Sequence, residues 1–147
     1  MVKLSKKADY GLIAVRHLSQ RGPGKPSSAK EIAQAHGMPV ELLAKVLQKL
    51  VKQGLLVSQH GAEGGYALAR EASTMTAFDV IRAIEGPIFI TSCVTVRGEC
   101  GQASHCTVRE PLSRVNEVLA QALNSVRISD LGGGNQPLVQ LEAQKQP

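Results

Sequence analysis

Cys93, Cys100 and Cys106 are the chain's three cysteines, and all lie within one 14-residue stretch. Thiolates are soft ligands that favour iron–sulfur clusters, Zn²⁺ and Cu(I). The spacing C-x₆-C-x₅-C is wider than the short Cys pairs of zinc knuckles. Gly98 and Gly101 let the backbone wrap round something larger than one ion. Cys106 stands just before a stretch that reads as a long helix, whose positive N-terminal end lowers a thiol's pKa and favours an anionic group. Residue types and spacing put a cluster first and leave a zinc site and free thiols open. An odd number of cysteines points away from structural disulfides and toward metal or redox chemistry.

The whole chain bounds what surrounds these thiols. At 147 residues it fits a compact head with an appended element, and with two Tyr and two Phe its core must be aliphatic. No apolar stretch approaches the roughly 18 residues a membrane span needs. The opening MVKLSKKADYGL lacks a signal-peptide layout, so the expectation is a cytoplasmic protein with no membrane partner. Net charge is +5 but uneven: residues 1–70 carry eleven Lys and Arg against four acids, and the rest sums to −2. A basic N-terminal half is the footprint of a polyanionic partner. The chain lacks a Cys-x-x-Cys pair, a nucleotide-binding loop and any nucleophile–base arrangement, which argues against an enzyme.

The elements that must position these groups follow from periodicity and punctuation. Residues 5–20, with Ser5 as cap and Tyr10, Ile13, Ala14, His17 and Leu18 at 3–4 spacing, predict an amphipathic helix. After the breaker-rich Arg21–Ser28, Ser28 and Glu31 match a capping box opening a short helix over 29–35 that Gly37 closes. A further helix follows Pro39, with Leu43, Val46, Leu47 and Leu50 as its buried stripe and Gly54 as its stop. Its other face shows Glu41, Ala44, Lys45, Gln48, Lys49 and Lys52. Two short helices across a tight Gly-containing turn are a helix-turn-helix signature. Strands over 55–60 and 66–69, with a hairpin tip at 61–65, complete a winged helix whose glycines permit close approach to a phosphate. Thr76 opens a helix over 77–85 that Gly86 and Pro87 stop. Thr107 and Glu110 match a second capping box at the longest helix, where Leu112, Val115, Leu119, Ala122 and Val126 form a coiled-coil-like seam.

The segments LSKKADYGL, KVLQKLVKQGLLVSQHGAEGGYAL and FDVIRAIEGP, the three-cysteine stretch and the ending VRISDL occur in this order. In them the chain resembles the winged-helix iron–sulfur regulators of the IscR, NsrR and RirA type, and most of all regulators of SUF-type iron–sulfur assembly operons. The resemblance implies that Cys93, Cys100 and Cys106 ligate a cluster, with 2Fe–2S the expected type, and that a non-cysteine donor completes it. Arg109 stands where IscR has a histidine ligand, and a guanidinium cannot ligate. Asp9 matches an aspartate early in the first helix that nitric oxide sensors use from the partner subunit; His105, solvent or another donor are the alternatives. His60 occupies the position of a minor-groove arginine, and Glu41, Ala44 and Lys45 match base-contacting positions.

The expected architecture is mainly α with a small β wing: a winged helix-turn-helix plus a long C-terminal dimerisation helix. Residues 1–86 form the DNA-binding domain, 87–106 the cysteine loop, 107–131 the dimerisation helix and 132–147 a disordered tail. The expected function is a homodimeric, cluster-sensing regulator, a repressor of iron–sulfur assembly or iron and redox stress genes, bound to double-stranded operator DNA. The alternative is a metal-independent or zinc-structural winged-helix repressor. The DNA-facing residues are Ser28, Lys30, Glu41, Lys45, Gln48, Lys49, Lys52, His60, Gly64 and Gly65. Lys30, Lys45, Lys49 and Lys52 neutralise phosphates, while Glu41 and Gln48 reach base edges.

Overall fold

The computed structural model describes residues 3–22, 24–62, 64–88 and 108–132. Helix α1 (Lys6–Arg21) starts at Ser5, whose Oγ accepts the Ala8 N–H at 3.1 Å. Asp9 in its first turn and Arg21 in its last both complement the helix dipole. The buried face of α1 differs from the expected stripe: it is Ala8, Gly11, Ala14, Val15 and Leu18, while Tyr10, Ile13 and His17 are only half-buried on its flanks. Small residues let this helix approach its neighbours closely. At Gly11 the approach is so close that a Cβ would overlap Ile84 Cδ1.

Helix α2 (Ala29–His36) is capped by Ser28, whose Oγ accepts the Glu31 N–H at 3.1 Å, and ends at Gly37 with φ 66°. The Ser28 half of the expected capping box is present; Glu31 Oε2 instead lies 4.0 Å from Arg21. Helix α3 (Val40–Lys52) buries Leu43, Val46, Leu47 and Leu50, the four residues its periodicity marks, each at most 2 % exposed. A Leu hidden this completely contributes about 1.5–3 kcal/mol relative to an exposed one. Beyond α3, Gly54 (φ 81°) donates to Val51 O and Leu55 N–H donates to Leu50 O, both at 3.0 Å. This closing pair satisfies carbonyls that the helix end leaves free.

Strands β1 (Leu56–Gln59) and β2 (Gly65–Leu68) pair antiparallel, with Leu56 opposite Leu68 and Gln59 opposite Gly65. Ser27 joins the other edge of β2, exchanging both backbone hydrogen bonds with Tyr66 at 3.0 and 2.8 Å. A 3-10 turn (Ala72–Thr74) leads to α4 (Ala77–Glu85). Thr76 and Asp79 form a reciprocal capping box there, and Asp79 also pairs with Arg70 at 2.9 Å.

Helix α5 (Arg109–Ser125) departs from expectation at both ends. Val108 holds its N-cap position without a side-chain cap, and Glu110 pairs with Arg114 at 2.6 Å. Thr107, the expected cap, lies outside the described residues. The helix ends at Ser125 because the chain turns back onto the head: Val126 O accepts from Ala77 N–H and Ile128 N–H donates to Met75 O, both at 2.8 Å. Ile128, in the closing 3-10 turn (Ile128–Gly132), and Met75 are both fully buried. The architecture is mostly helical with a small two-stranded sheet.

Candidate nucleic-acid interface

Helices α2 and α3 are joined by Gly37, Met38 and Pro39, of which Met38 is buried and serves as a hinge pin in the core. Every apolar residue on one side of α3 points inward. Outward from the helix runs a row at i, i+4, i+7 and i+11, Glu41, Lys45, Gln48 and Lys52, all exposed, with Lys49, also exposed, about 40° beyond its edge. At 100° per residue these four fall within one narrow stripe. Such a row sets a carboxylate, two ammonium groups and an amide at the reach and spacing of a major-groove reading face. Lys30 is exposed in the first turn of α2, and Ser28 uses its oxygen as an acceptor while its hydroxyl proton stays available.

Lys49 is placed differently from the expectation. Its ammonium donates to the carbonyl oxygen of Ile84 at 2.6 Å, on the side of α3 that faces α4. The reason is angular: Lys49 lies beyond the edge of the outward row, beside the buried Val46.

The hairpin glycines also have a packing task of their own. His60 is exposed at the start of the tip. A Cβ on Gly64 would sit 2.6 Å from the Gln59 carbonyl oxygen, and the Gly64 N–H donates to Gly61 O at 3.0 Å. A Cβ on Gly65 would sit 2.5 Å from the Ser27 carbonyl, at a φ of +152°. Gly64 is therefore demanded by the hairpin's own backbone, and Gly65 by the backbone at Ser27 and Ser28 packed against it. Sequence reading assigned them to phosphate approach because the Ser27 edge is a one-residue pairing with no periodicity to announce it.

A further contact was not foreseen. His17 Nδ1 and His36 Nε2 lie 3.0 Å apart, with the rings edge to face, joining α1 to the end of α2. Burial holds the His17 pKa below its ordinary value; His36 and Arg21 push it the same way, and Glu31 opposes them. Asp9 is exposed in the first turn of α1. Cys93, Cys100, Cys106 and His105 lie outside the described residues. Among the described residues, no group of three or more His, Cys, Asp or Glu is placed to hold a metal ion. Nor is any helix among them long and apolar enough to cross a membrane.

A helix-turn-helix with a glycine-tipped hairpin defines a winged-helix DNA-binding protein, and comparison with known proteins specifies the class further. The chain belongs to the Rrf2 family, described as an iron-dependent transcriptional regulator, which it matches over residues 4–133. It is similar to the HTH-type transcriptional regulator CymR of Bacillus subtilis, 35 % identical over 130 residues that cover 88 % of this chain and 89 % of that one. The solved structure of CymR, titled the global cysteine regulator of that organism, superposes with a TM-score of 0.72 at 34 % identity, over 89 % of this chain and 96 % of that one. The solved structure of IscR from T. potens gives 0.70 at 29 %, over 88 % and 85 %. The protein is a transcriptional regulator and not an enzyme.

Proposed function

We propose that the protein is an iron–sulfur cluster-sensing repressor, acting as a homodimer on operator DNA, with iron–sulfur assembly genes of the SUF type or iron and redox stress genes as targets. The observation that carries this reading is the gathering of three thiols within 14 residues of a winged-helix regulator. The donor set fits: Cys93, Cys100 and Cys106 offer three soft thiolates, and Asp9 offers an exposed carboxylate as the fourth donor. A 2Fe–2S cluster bound there supplies a group sensitive to redox state and iron supply.

The chain's own residues divide the remaining work. Glu41 and Gln48 face base edges from α3, while Lys45, Lys52 and Lys30 meet phosphates, with the Ser28 hydroxyl as a further phosphate donor. The hairpin carries His60 toward a flanking minor groove, where negative potential favours its protonated form. Helix α5 supports self-association: Val115 and Val118 remain 53 % and 63 % exposed along its apolar seam. A coupling of about 1–3 kcal/mol between the cysteine segment and the reading heads changes operator affinity about 5–150-fold.

The test is an anaerobic absorption spectrum with iron and sulfide quantitation, followed by DNA titration of the wild type against Cys100→Ala. A coloured, iron- and sulfide-bearing wild type whose affinity differs from the variant's is the expected result. Equal affinity and equal footprints on every operator remove the sensing role. The likeness to CymR, described as a cysteine regulator with no iron–sulfur cluster named, supports a second reading, a metal-independent repressor in which the cysteines are incidental. That version gives colourless anaerobic protein, and a zinc-structural version gives zinc without iron or sulfide.

A further inference from the structure

Helix α3 meets the C-terminal turn of α4 at one polar point. The Lys49 ammonium donates to Ile84 O at 2.6 Å in a partly buried setting. Carbonyls in the last turn of a helix lack intrahelical donors and carry the negative end of its dipole, so a lysine there answers both needs. The same turn is held from α1: Ser5 N–H donates to Glu85 Oε1 at 3.2 Å, and the Ile84 side chain lies over Gly11. At its other end, α4 is held by the last turn of α5 and the chain just beyond it, through Thr76 Oγ1 to Asn124 Oδ1 at 3.0 Å and through Val126 O. Helix α4 is thus held at both ends, and Lys49 adds a polar tie between the reading helix and α4 to their packing in the common apolar core.

We infer that Lys49 is a positioning residue that pins the reading helix to the end of α4, and that it does not neutralise a phosphate. The inference rests on the DNA-binding reading above and is independent of any cofactor. A phosphate contact and an internal brace leave different signatures. Each lost phosphate contact makes the slope of log affinity against log salt shallower by about 0.9. Loss of a brace weakens binding by one factor at every salt concentration, here about 2- to 30-fold.

Two measurements decide it. The first is salt-dependent binding of wild type, Lys49→Gln, Lys49→Arg, Lys45→Gln and Lys52→Gln to a duplex that the wild type selects from a random-sequence pool. It is run well below each variant's thermal midpoint, so that unfolding does not enter. Lys45→Gln and Lys52→Gln flatten the slope; Lys49→Gln keeps the wild-type slope with uniformly weaker binding, and Lys49→Arg, which retains a donor, restores affinity. The second is acetylation of lysines read by mass spectrometry in the wild type, with and without that duplex. Lys49 labels more slowly than Lys45 and Lys52 in the free protein and gains no protection from DNA. A slope shallower by about 0.9 in Lys49→Gln overturns the inference, as does fast labelling of Lys49 that DNA suppresses. A wild type that binds no duplex defeats the DNA-binding reading instead, and Lys49 labelling in the free protein still decides the brace.

Discussion

Helices α3 and α5 are both amphipathic, yet they end in opposite circumstances. The apolar stripe of α3 vanishes into its own chain, with Leu43, Leu47 and Leu50 fully buried. Along α5, Leu112, Leu119, Ala122 and Leu123 are half-buried, and Val115 and Val118 stay mostly bare. The same periodicity therefore serves two purposes. Where other helices close over it, the stripe holds the fold together; where, among the described residues, α4 covers it only in part, Val115 and Val118 remain as surface with a cost in water. In the proposed homodimer, that seam is the surface a second copy of the helix would cover in a two-fold pairing.

The comparison breaks most visibly at Leu47. Leu47→Ala removes a fully buried side chain and is expected to cost about 2–5 kcal/mol in urea unfolding. A loss well under 1 kcal/mol shows that the core around α3 is looser than described. Gly65→Ala comes next, at about 1–3 kcal/mol, because the new Cβ meets the Ser27 carbonyl. Thr76→Ala forfeits the cap on Asp79 N–H and costs about 1 kcal/mol by the same assay.

Val118→Asp sharpens the contrast from the other side. It changes the chain's own folding stability by within about 0.5 kcal/mol, yet it abolishes self-association in sedimentation velocity. A variant that still associates like the wild type removes α5 from the pairing. The smallest effect concerns pH. In the folded protein His17 protonates below its ordinary 6.5, so between its lowered value and 6.5 the unfolded chain binds more protons. Stability therefore rises with pH across that window and levels off above it. His17→Gln flattens this part of a urea-midpoint profile, and an unchanged profile assigns the dependence elsewhere.

Much of this was legible because the signals are local. Ser5, Ser28 and Gly37 punctuate helices within four residues of themselves, and four apolar residues at helical spacing name the buried face of α3. The face of α1 was read only in part: Ala14 and Leu18 are buried and Tyr10 and Ile13 pack against the core, but Ala8 and Gly11 bury by being small, which a search for large apolar side chains passes over. The Thr76–Asp79 box escaped notice because its third position carries Asp where the pattern asks for Glu or Gln. Lys49 and Ile84 are 35 residues apart, and His17 and His36 are 19 apart. Such contacts exist only once helices are packed. Even so, the angular offset of Lys49 from its neighbours was available from residue numbers alone.

The paired hydrogen bonds between Ser27 and Tyr66 have a consequence for the sequences this regulator reads. They tie the hairpin to the stretch that leads into the Ser28 cap of α2, so the position of the hairpin is coupled to that of the helix-turn-helix. DNA steps about 3.4 Å per base pair along each strand, and a fixed separation between two reading elements suits one spacing of what they read. On the proposed docking, a half-site with one nucleotide inserted between the determinants assigned to α3 and those assigned to the hairpin is expected to bind more weakly than the intact one.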